Sequence, residues 1–333
     1  MKLLSIVVPC YNSQEYMSVS IDSLLMGDDR IEIIIVNDGS TDDTARIADA
    51  YHHRFPEMIR VIHKENGGHG SAIDAGLAVA QGLYFKVLDS DDWLNQSALE
   101  KILNYIEHNQ TVDLIVANYR YEKKGARHKK IMHYRRSIPQ ETIVGWDAIH
   151  FPLGTYFMMH SMIHRTEILR TTKLALPEHT FYVDNLFVFR SLMHVQTIVY
   201  FDEILYHYFI GRDDQSVNEQ VMIRRIDQQL RVNHLMIAYY VENSQRDFAV
   251  DNYLFHHLEI IMAISSTMLR IENTPESELK RAALWQTVQK SDPQLYSRLT
   301  HRLMGWNLSK KDGFSRRLGI VVYRITQKLF GFN

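Results

Sequence analysis

Three carboxylates crowd into four residues at Asp89-Ser90-Asp91-Asp92, directly after the apolar run Phe85-Lys86-Val87-Leu88. Like charges this close raise one another's pKa and oppose joint ionisation unless a cation sits among them. Oxygen ligands at this density suit Mg2+ or Mn2+, usually shared with substrate phosphates. The plainer alternative is an acidic turn leading into the helix that begins near Asn95. A further carboxylate, Asp184, ends the stretch Leu176-Pro177-Glu178-His179-Thr180-Phe181-Tyr182-Val183, set between aromatics and aliphatics. Such surroundings raise a carboxylate's pKa toward the range useful for a general base.

The elements needed to position these groups can be read from the chain in order. Residues 3–8 and 31–36 are short, continuous, β-branched runs, as expected of buried parallel strands. Residues 58–63, 85–88, 113–119 and 197–201 read as further strands. Helices are expected after Asn12 (through Leu24 and Leu25), after Thr44, over 72–80 and over 97–108, with a strand and then a helix within 154–170. Strands alternating with helices at this spacing imply an α/β fold, a doubly wound and mostly parallel sheet. Open sheets of this kind hold ligands at the carboxyl ends of their strands. Three such ends then share one crevice: Pro9–Asn12, Asp38–Thr41 and Asp89–Asp92.

Those ends meet the needs of a nucleoside diphosphate piece by piece. Tyr11 offers an aromatic face to a base, Asp38 can accept from a ring imide, and the carboxylates with a metal can hold the diphosphate. Gly67-Gly68-His69-Gly70-Ser71 is a glycine loop whose backbone amides at a helix start, Gly68 among them, attract an anion. It fails the dinucleotide fingerprint because Ile73 stands where the third glycine belongs, and it lacks the lysine of a phosphate-binding P-loop.

Composition narrows the class. The 333 residues allow one large domain and a smaller one, expected at 1–217 and 218–333, the second all-helical from Glu219 onward. Lys and Arg (37) nearly balance Asp and Glu (39), so no general basic field argues for nucleic acid. A single cysteine, Cys10, excludes an internal disulfide framework and fits a reducing compartment. The first apolar run is too short for a signal peptide, and no stretch nears the ~20 apolar residues that span a bilayer. The expected location is cytoplasmic, soluble or peripheral at the inner face of the membrane. Residues 120–136 are strongly basic and read as a solvated hairpin, with a patch for anionic lipid or acceptor phosphate as the minority reading. Residues 206–216 read as a polar, mobile loop.

The first two-thirds of the chain resembles the family 2 glycosyltransferases of the GT-A fold. The resemblance rests on Ile6-Val7-Val8-Pro9-Cys10-Tyr11-Asn12, Ile35-Val36-Asn37-Asp38-Gly39-Ser40-Thr41-Asp42, Asn66-Gly67-Gly68 with Ala75-Gly76, and Leu88-Asp89-Ser90-Asp91-Asp92. It implies that Pro9, Tyr11 and Asp38, with Asn12 beside them, hold the uracil of a UDP-sugar. Asp89 and Ser90 would face the ribose and sugar, and Asp91 with Asp89 would ligate Mn2+ or Mg2+. Asp184 matches the family's base, although Val183 replaces the first residue of the usual Glu-Asp pair. Ile73 stands where many members carry an arginine near the diphosphate, so His69 or Lys86 is expected to substitute. Arg212 and Gln215 fall where members close a loop over the donor.

The implied reaction is one inverting displacement, with Asp184 taking the proton of an acceptor hydroxyl and the metal neutralising charge on the departing UDP. The expected acceptor is a glycan, lipid-linked or protein-linked, in the synthesis of a bacterial-type surface polysaccharide. A sugar-phosphate nucleotidyltransferase and a non-catalytic nucleotide-sugar-binding module are the rival readings. The helical region is expected to serve acceptor, membrane or homo-oligomer contacts. Its last segment, 315–330, gathers Leu318, Val321, Val322, Ile325 and Leu329 on one helical face with cations largely off it. That pattern suits either an anionic membrane surface or docking on preceding helices or a second subunit.

Overall fold

The computed structural model describes residues 2–26, 28–123, 130–152, 154–211, 218–243, 248–310 and 321. The chain divides into two compact units, Met1–Ile210 and Gly211–Asn333. The second therefore begins a few residues ahead of the boundary expected at 217.

In the first unit the described strands are β1 (Leu4–Cys10), β2 (Ile31–Asp38), β3 (Ile59–Lys64), β4 (Tyr84–Val87), β5 (Trp93–Leu94), β6 (Leu114–Lys123), β7 (Ile131–Met132), β8 (Met162–Arg165) and β9 (Ile198–Ile210). Among the described residues these nine form one sheet in the order β3-β2-β1-β4-β8-β6-β9-β5, with β7 on β6. Strands β3, β2, β1 and β4 run parallel, as do β6 and β9; β8 is antiparallel to both of its neighbours. Every residue of β1 and β2 is buried, which is why both read as unbroken apolar runs rather than alternating ones.

The helices of this unit are α1 (Met17–Asp22), α2 (Thr44–Arg54), α3 (His69–Val79), α4 (Gln96–His108), α5 (Thr166–Thr172) and α6 (Val183–Ser191). Helix α1 stops at Asp22, short of Leu24 and Leu25. Helix α4 starts where expected, with the Asn95 side chain accepting from Ala98 N. Helix α3 lies tight on β1: a Cβ on Gly76 would sit 2.5 Å from Val7 Cγ1, a distance no side chain tolerates.

One expectation is overturned. Residues 206–210 are not loop but the end of β9, with Tyr206 fully buried. Polar side chains disguised a strand whose alternate residues find partners on both faces. Tyr206 and Tyr208 pack on His160, whereas His207 stacks on Trp93 and pairs with Glu122. The basic stretch does form a hairpin, β6 against β7. Arg120 within it is not merely solvated, for it pairs with buried Glu122; Lys124, Arg127 and Lys129 lie outside the described residues.

The second unit is helical throughout its described length: α7 (Glu219–Arg224), α8 (Ile226–Glu242), α9 (Phe248–Glu272), α10 (Pro275–Ser291), α11 (Pro293–Thr300) and α12 (Leu303–Ser309). Thr274 and Asp292 cap α10 and α11 ahead of a proline at the first turn. Two fully buried arginines close the end of α12. Arg270 donates to Asn307 O and Lys310 O, and Arg281 donates to Leu308 O. Their guanidinium groups thus satisfy carbonyls that a helix terminus leaves without partners. Among the described residues no helix is long and apolar enough to cross a membrane. Apart from Val321, the segment 315–330 lies outside them.

Candidate functional site

The three strand ends do converge, and hydrogen bonds lace them together. Asn12 takes a positive φ of 48°, its amide donating to Ser40 Oγ and its side-chain oxygen accepting from Thr41 N. Ser13 Oγ meets Ser90 Oγ at 2.9 Å, so the turn after β1 is tied to the turn after β2 and to the acidic loop. Pro9 is buried at the end of β1, while Tyr11 leaves 52% of its surface exposed. An aromatic this open beside a buried strand end contributes little to a core and is free to stack.

Asp38 plays a more structural part than its type suggested. It is 2% exposed. Its Oδ1 accepts from Lys64 Nζ (2.7 Å) and Gly67 N (2.9 Å), and its Oδ2 from Gly68 N (2.7 Å). The carboxylate therefore folds the glycine loop, and the Gly68 amide points at Asp38 rather than outward. Gly68 needs its φ of 85° to make that turn. Of the two oxygens Oδ2, with one donor among the described residues, retains a lone pair for a ligand N–H.

In the acidic loop the carboxylates have separated roles. Asp89 Oδ1 meets His69 Nε2 at 2.8 Å and Oδ2 lies 3.4 Å from His160 Nε2. Burial alone would raise the Asp89 pKa, but the two imidazoles outweigh it and hold the group well below the carboxylate range. Burial likewise works to lower His69, and the neighbouring Asp89, Asp184 and Asp91 charges reverse this to a raised value. Asp92 is fully buried, its Oδ2 accepting from the Tyr206 hydroxyl (2.6 Å) and its Oδ1 from Phe209 N (2.7 Å). Burial and the adjacent Asp91 and Asp89 push its pKa well above the usual range. Asp91 is half-exposed on the same loop.

Asp89, Asp92 and His160 bring ligand atoms within 4.8 Å of one another. Both oxygens of Asp92 are already committed to protein donors, however. Asp89, whose oxygens meet the His69 and His160 imidazoles, and Asp91 are both partly open to solvent where Asp92 is not, and these two are the carboxylates placed to meet a hard divalent cation, which takes several oxygens, some of them from water or substrate. The donor set fits Mn2+ or Mg2+.

Asp184 enters from the first turn of α6, behind Tyr182 in the left-handed conformation. Burial raises its pKa, with Asp89 adding to the rise and His160 and His69 opposing it. Asp89, Asp184, His69 and His160 thus form one electrostatic cluster built from four separate segments. His160, 4% exposed and stacked on Tyr208 at 4.4 Å, leaves a buried Nδ1 without a hydrogen-bond partner among the described residues. Half-buried Tyr156 and Tyr208 also feel the Asp184 charge. Sequence reasoning missed the two tyrosines and Tyr206. The one available signal was the alternation Tyr206-His207-Tyr208.

Lys86 is corrected. It does not face the crevice but is buried in β4, its ammonium donating to His160 O at 2.7 Å and lying 5.0 Å from the Tyr206 ring centre. As a residue within a strand buried on both faces, it cannot reach outward to a diphosphate. His69, by contrast, does lie at the crevice. Arg212 and Gln215 lie outside the described residues.

Comparison with known proteins bears on this arrangement. Residues 5–167 match the model of glycosyl transferase family 2, a span that holds β1 through β8, the glycine loop and the acidic loop. Over that span, just under half of its length, the chain carries the sequence pattern of this family. It is 27% identical over 271 residues to EpsH of Bacillus subtilis (strain 168), covering 78% of this chain and 76% of EpsH. It is 25% identical over 225 residues to TarS of Staphylococcus aureus (strain Mu50 / ATCC 700699), a poly(ribitol-phosphate) beta-N-acetylglucosaminyltransferase. That match covers 66% of this chain but only 37% of TarS. The crystal structure of TarS 1–349 in complex with UDP-GlcNAc superposes with a TM-score of 0.70 at 20% identity, covering 97% of this chain and 92% of that one. At that identity the likeness is one of fold, and it extends through the helical second unit.

Proposed function

We propose that this glycosyltransferase moves a sugar from a UDP-sugar to an acceptor hydroxyl in the synthesis of a cell-surface polysaccharide, with inversion and with Mn2+ or Mg2+. The observation that carries the reading is Asp184, a carboxylate raised by burial and set in one electrostatic cluster with Asp89 and two histidines. A carboxylate kept above its ordinary pKa is suited to accept a proton. TarS supports the donor and acceptor class, being solved with UDP-GlcNAc and named for a poly(ribitol-phosphate) product. Residues 1–217 would carry this chemistry and 218–333 the acceptor, oligomer or membrane contacts.

In this reading Tyr11 stacks on the uracil beside Pro9 and Asn12, and Asp38 Oδ2 accepts from the ring. Asp89 and Asp91 hold the cation, which when bound offsets charge on the diphosphate. His69, from the amino end of α3, supplies the positive charge expected of the missing arginine. Ser90 supports the loop through Ser13 rather than the donor directly. Asp184 orients the acceptor hydroxyl. As the acceptor oxygen bonds to the anomeric carbon, the bond from that carbon to the diphosphate oxygen breaks and the hydroxyl proton passes to Asp184. One carboxylate acting on the acceptor suffices, unlike hydrolysis, which needs two flanking the bond.

The test is incubation with Mn2+ and a panel of nucleotide-sugars, with released nucleotide measured with and without EDTA. Release of UDP from one UDP-sugar, lost in EDTA and in Asp184→Asn, is the expected result. Release that persists in EDTA removes the metal from the reading. Release of pyrophosphate from UTP and a sugar phosphate points to nucleotidyl transfer instead.

A further inference from the structure

We propose that Tyr206 is a positioning residue for the cation site, reserving Asp92 as the anchor of the acidic loop and leaving coordination to Asp89 and Asp91. The inference rests on the metal reading of that loop. The Tyr206 hydroxyl touches the loop twice: it donates to Asp92 Oδ2 at 2.6 Å and accepts from Asp89 N at 3.2 Å. One oxygen thus fixes the spacing between the backbone of the first carboxylate and the side chain of the last. The loop adds its own turn, with Asp92 N donating to Asp89 O at 3.0 Å.

Tyr206 is itself held on every side. It is fully buried in β9, paired across the sheet with Leu94, edge-on to His160 at 4.8 Å and close to the Lys86 ammonium. The far end of the loop is held by the same strand, through Phe209 N on Asp92 Oδ1 and Trp93 stacked flat on His207 (4° between planes). Strand β9 is therefore the rigid body against which the carboxylates are set. Asp92, spent on two donors, cannot turn to a cation without breaking its bonds to Phe209 N and to the buried tyrosine hydroxyl. Phenylalanine would fill the same space and keep both ring contacts, so the hydroxyl alone carries the effect.

The experiment measures Mn2+ affinity of the full chain with saturating UDP, by electron paramagnetic resonance of the free ion, alongside thermal stability. Groups that orient metal ligands commonly change affinity 10- to 100-fold. Tyr206→Phe should weaken Mn2+ binding about tenfold. Asp92→Asn, whose amide can donate to the Tyr206 oxygen while its carbonyl oxygen accepts from Phe209 N, should weaken it less, and Asp92→Leu, which removes both acceptors, reaches the same bond should Tyr206→Phe fail to fold. Tyr200→Phe, which removes a buried hydroxyl from the same strand bonded to Asn118 and Asp202, should lower stability without changing Mn2+ affinity. Unchanged Mn2+ affinity in Tyr206→Phe, with or without a fall in stability, overturns the proposal. So does Asp92→Asn abolishing binding as completely as Asp91→Ala, since Asp92 would then be a ligand. If Asp91→Ala binds Mn2+ normally, the metal reading fails first and the positioning role with it.

Discussion

Replacing Lys86 by methionine should stabilise this protein near neutral pH, although it removes a buried cation and its hydrogen bonds. Burial in β4 brings the Lys86 pKa down to about 7 from the usual 10.5, against an upward pull from Asp89 and Asp92. At about 1.36 kcal/mol per pKa unit this is a penalty of roughly 5 kcal/mol on the folded state while the group is protonated. The unfolded chain binds the extra proton between about pH 7 and 10.5, so stability rises with pH across that window and the penalty is complete below pH 7. Methionine has similar reach and no charge, but it leaves the carbonyls of His160 and Met162 without this donor. Those losses offset about 2–4 kcal/mol, so the expected net gain is about 1–3 kcal/mol at pH 6. The gain should shrink and then reverse toward pH 10. Urea denaturation of both proteins at pH 6, 8 and 10 measures it. A variant less stable than the parent at pH 6 would refute the reasoning. So would a tenfold rise in donor KM with stability unchanged, which would return Lys86 to the diphosphate.

Asp184→Asn should lower kcat by about 10²–10⁴-fold while UDP affinity stays within a few-fold, since the shape is kept and only the proton acceptor is lost; initial rates and calorimetry separate the two. Tyr11→Ala should weaken UDP binding about five- to tenfold, the range of one aromatic contact, with no change in Tm because the ring is already half open to water. Gly76→Ala should cost about 1–3 kcal/mol by forcing α3 away from Val7, read as a fall in urea midpoint with a normal KM for donor in the folded fraction.

How much of this was legible in the sequence depended on whether a residue's partner is local. Strands β1 and β2 declared themselves because central parallel strands are apolar on both faces. The cap at Asn95 was equally plain, since a cap and the amides it serves lie within three residues. The acidic loop could be found but not apportioned. Asp89, Asp91 and Asp92 look alike in sequence, and what separates them comes from His69, His160 and Tyr206, the last more than a hundred residues downstream. Asp38 was legible as a carboxylate at a strand end, whereas its work in folding the glycine loop needed Lys64 and the turn geometry. Lys86 misled because a lysine beside three aspartates invites an electrostatic reading. In a strand buried on both faces, position rather than charge decides where its ammonium ends. The error at 206–210 has the same origin. Tyr-His-Tyr-Phe looks too polar for a core strand only when each side chain is taken as solvated. Once Glu122 and Trp93 stand on one face and Asp92, Lys86 and His160 on the other, each polar group has a partner. The strand taken for a mobile loop is the element that holds the carboxylates in place.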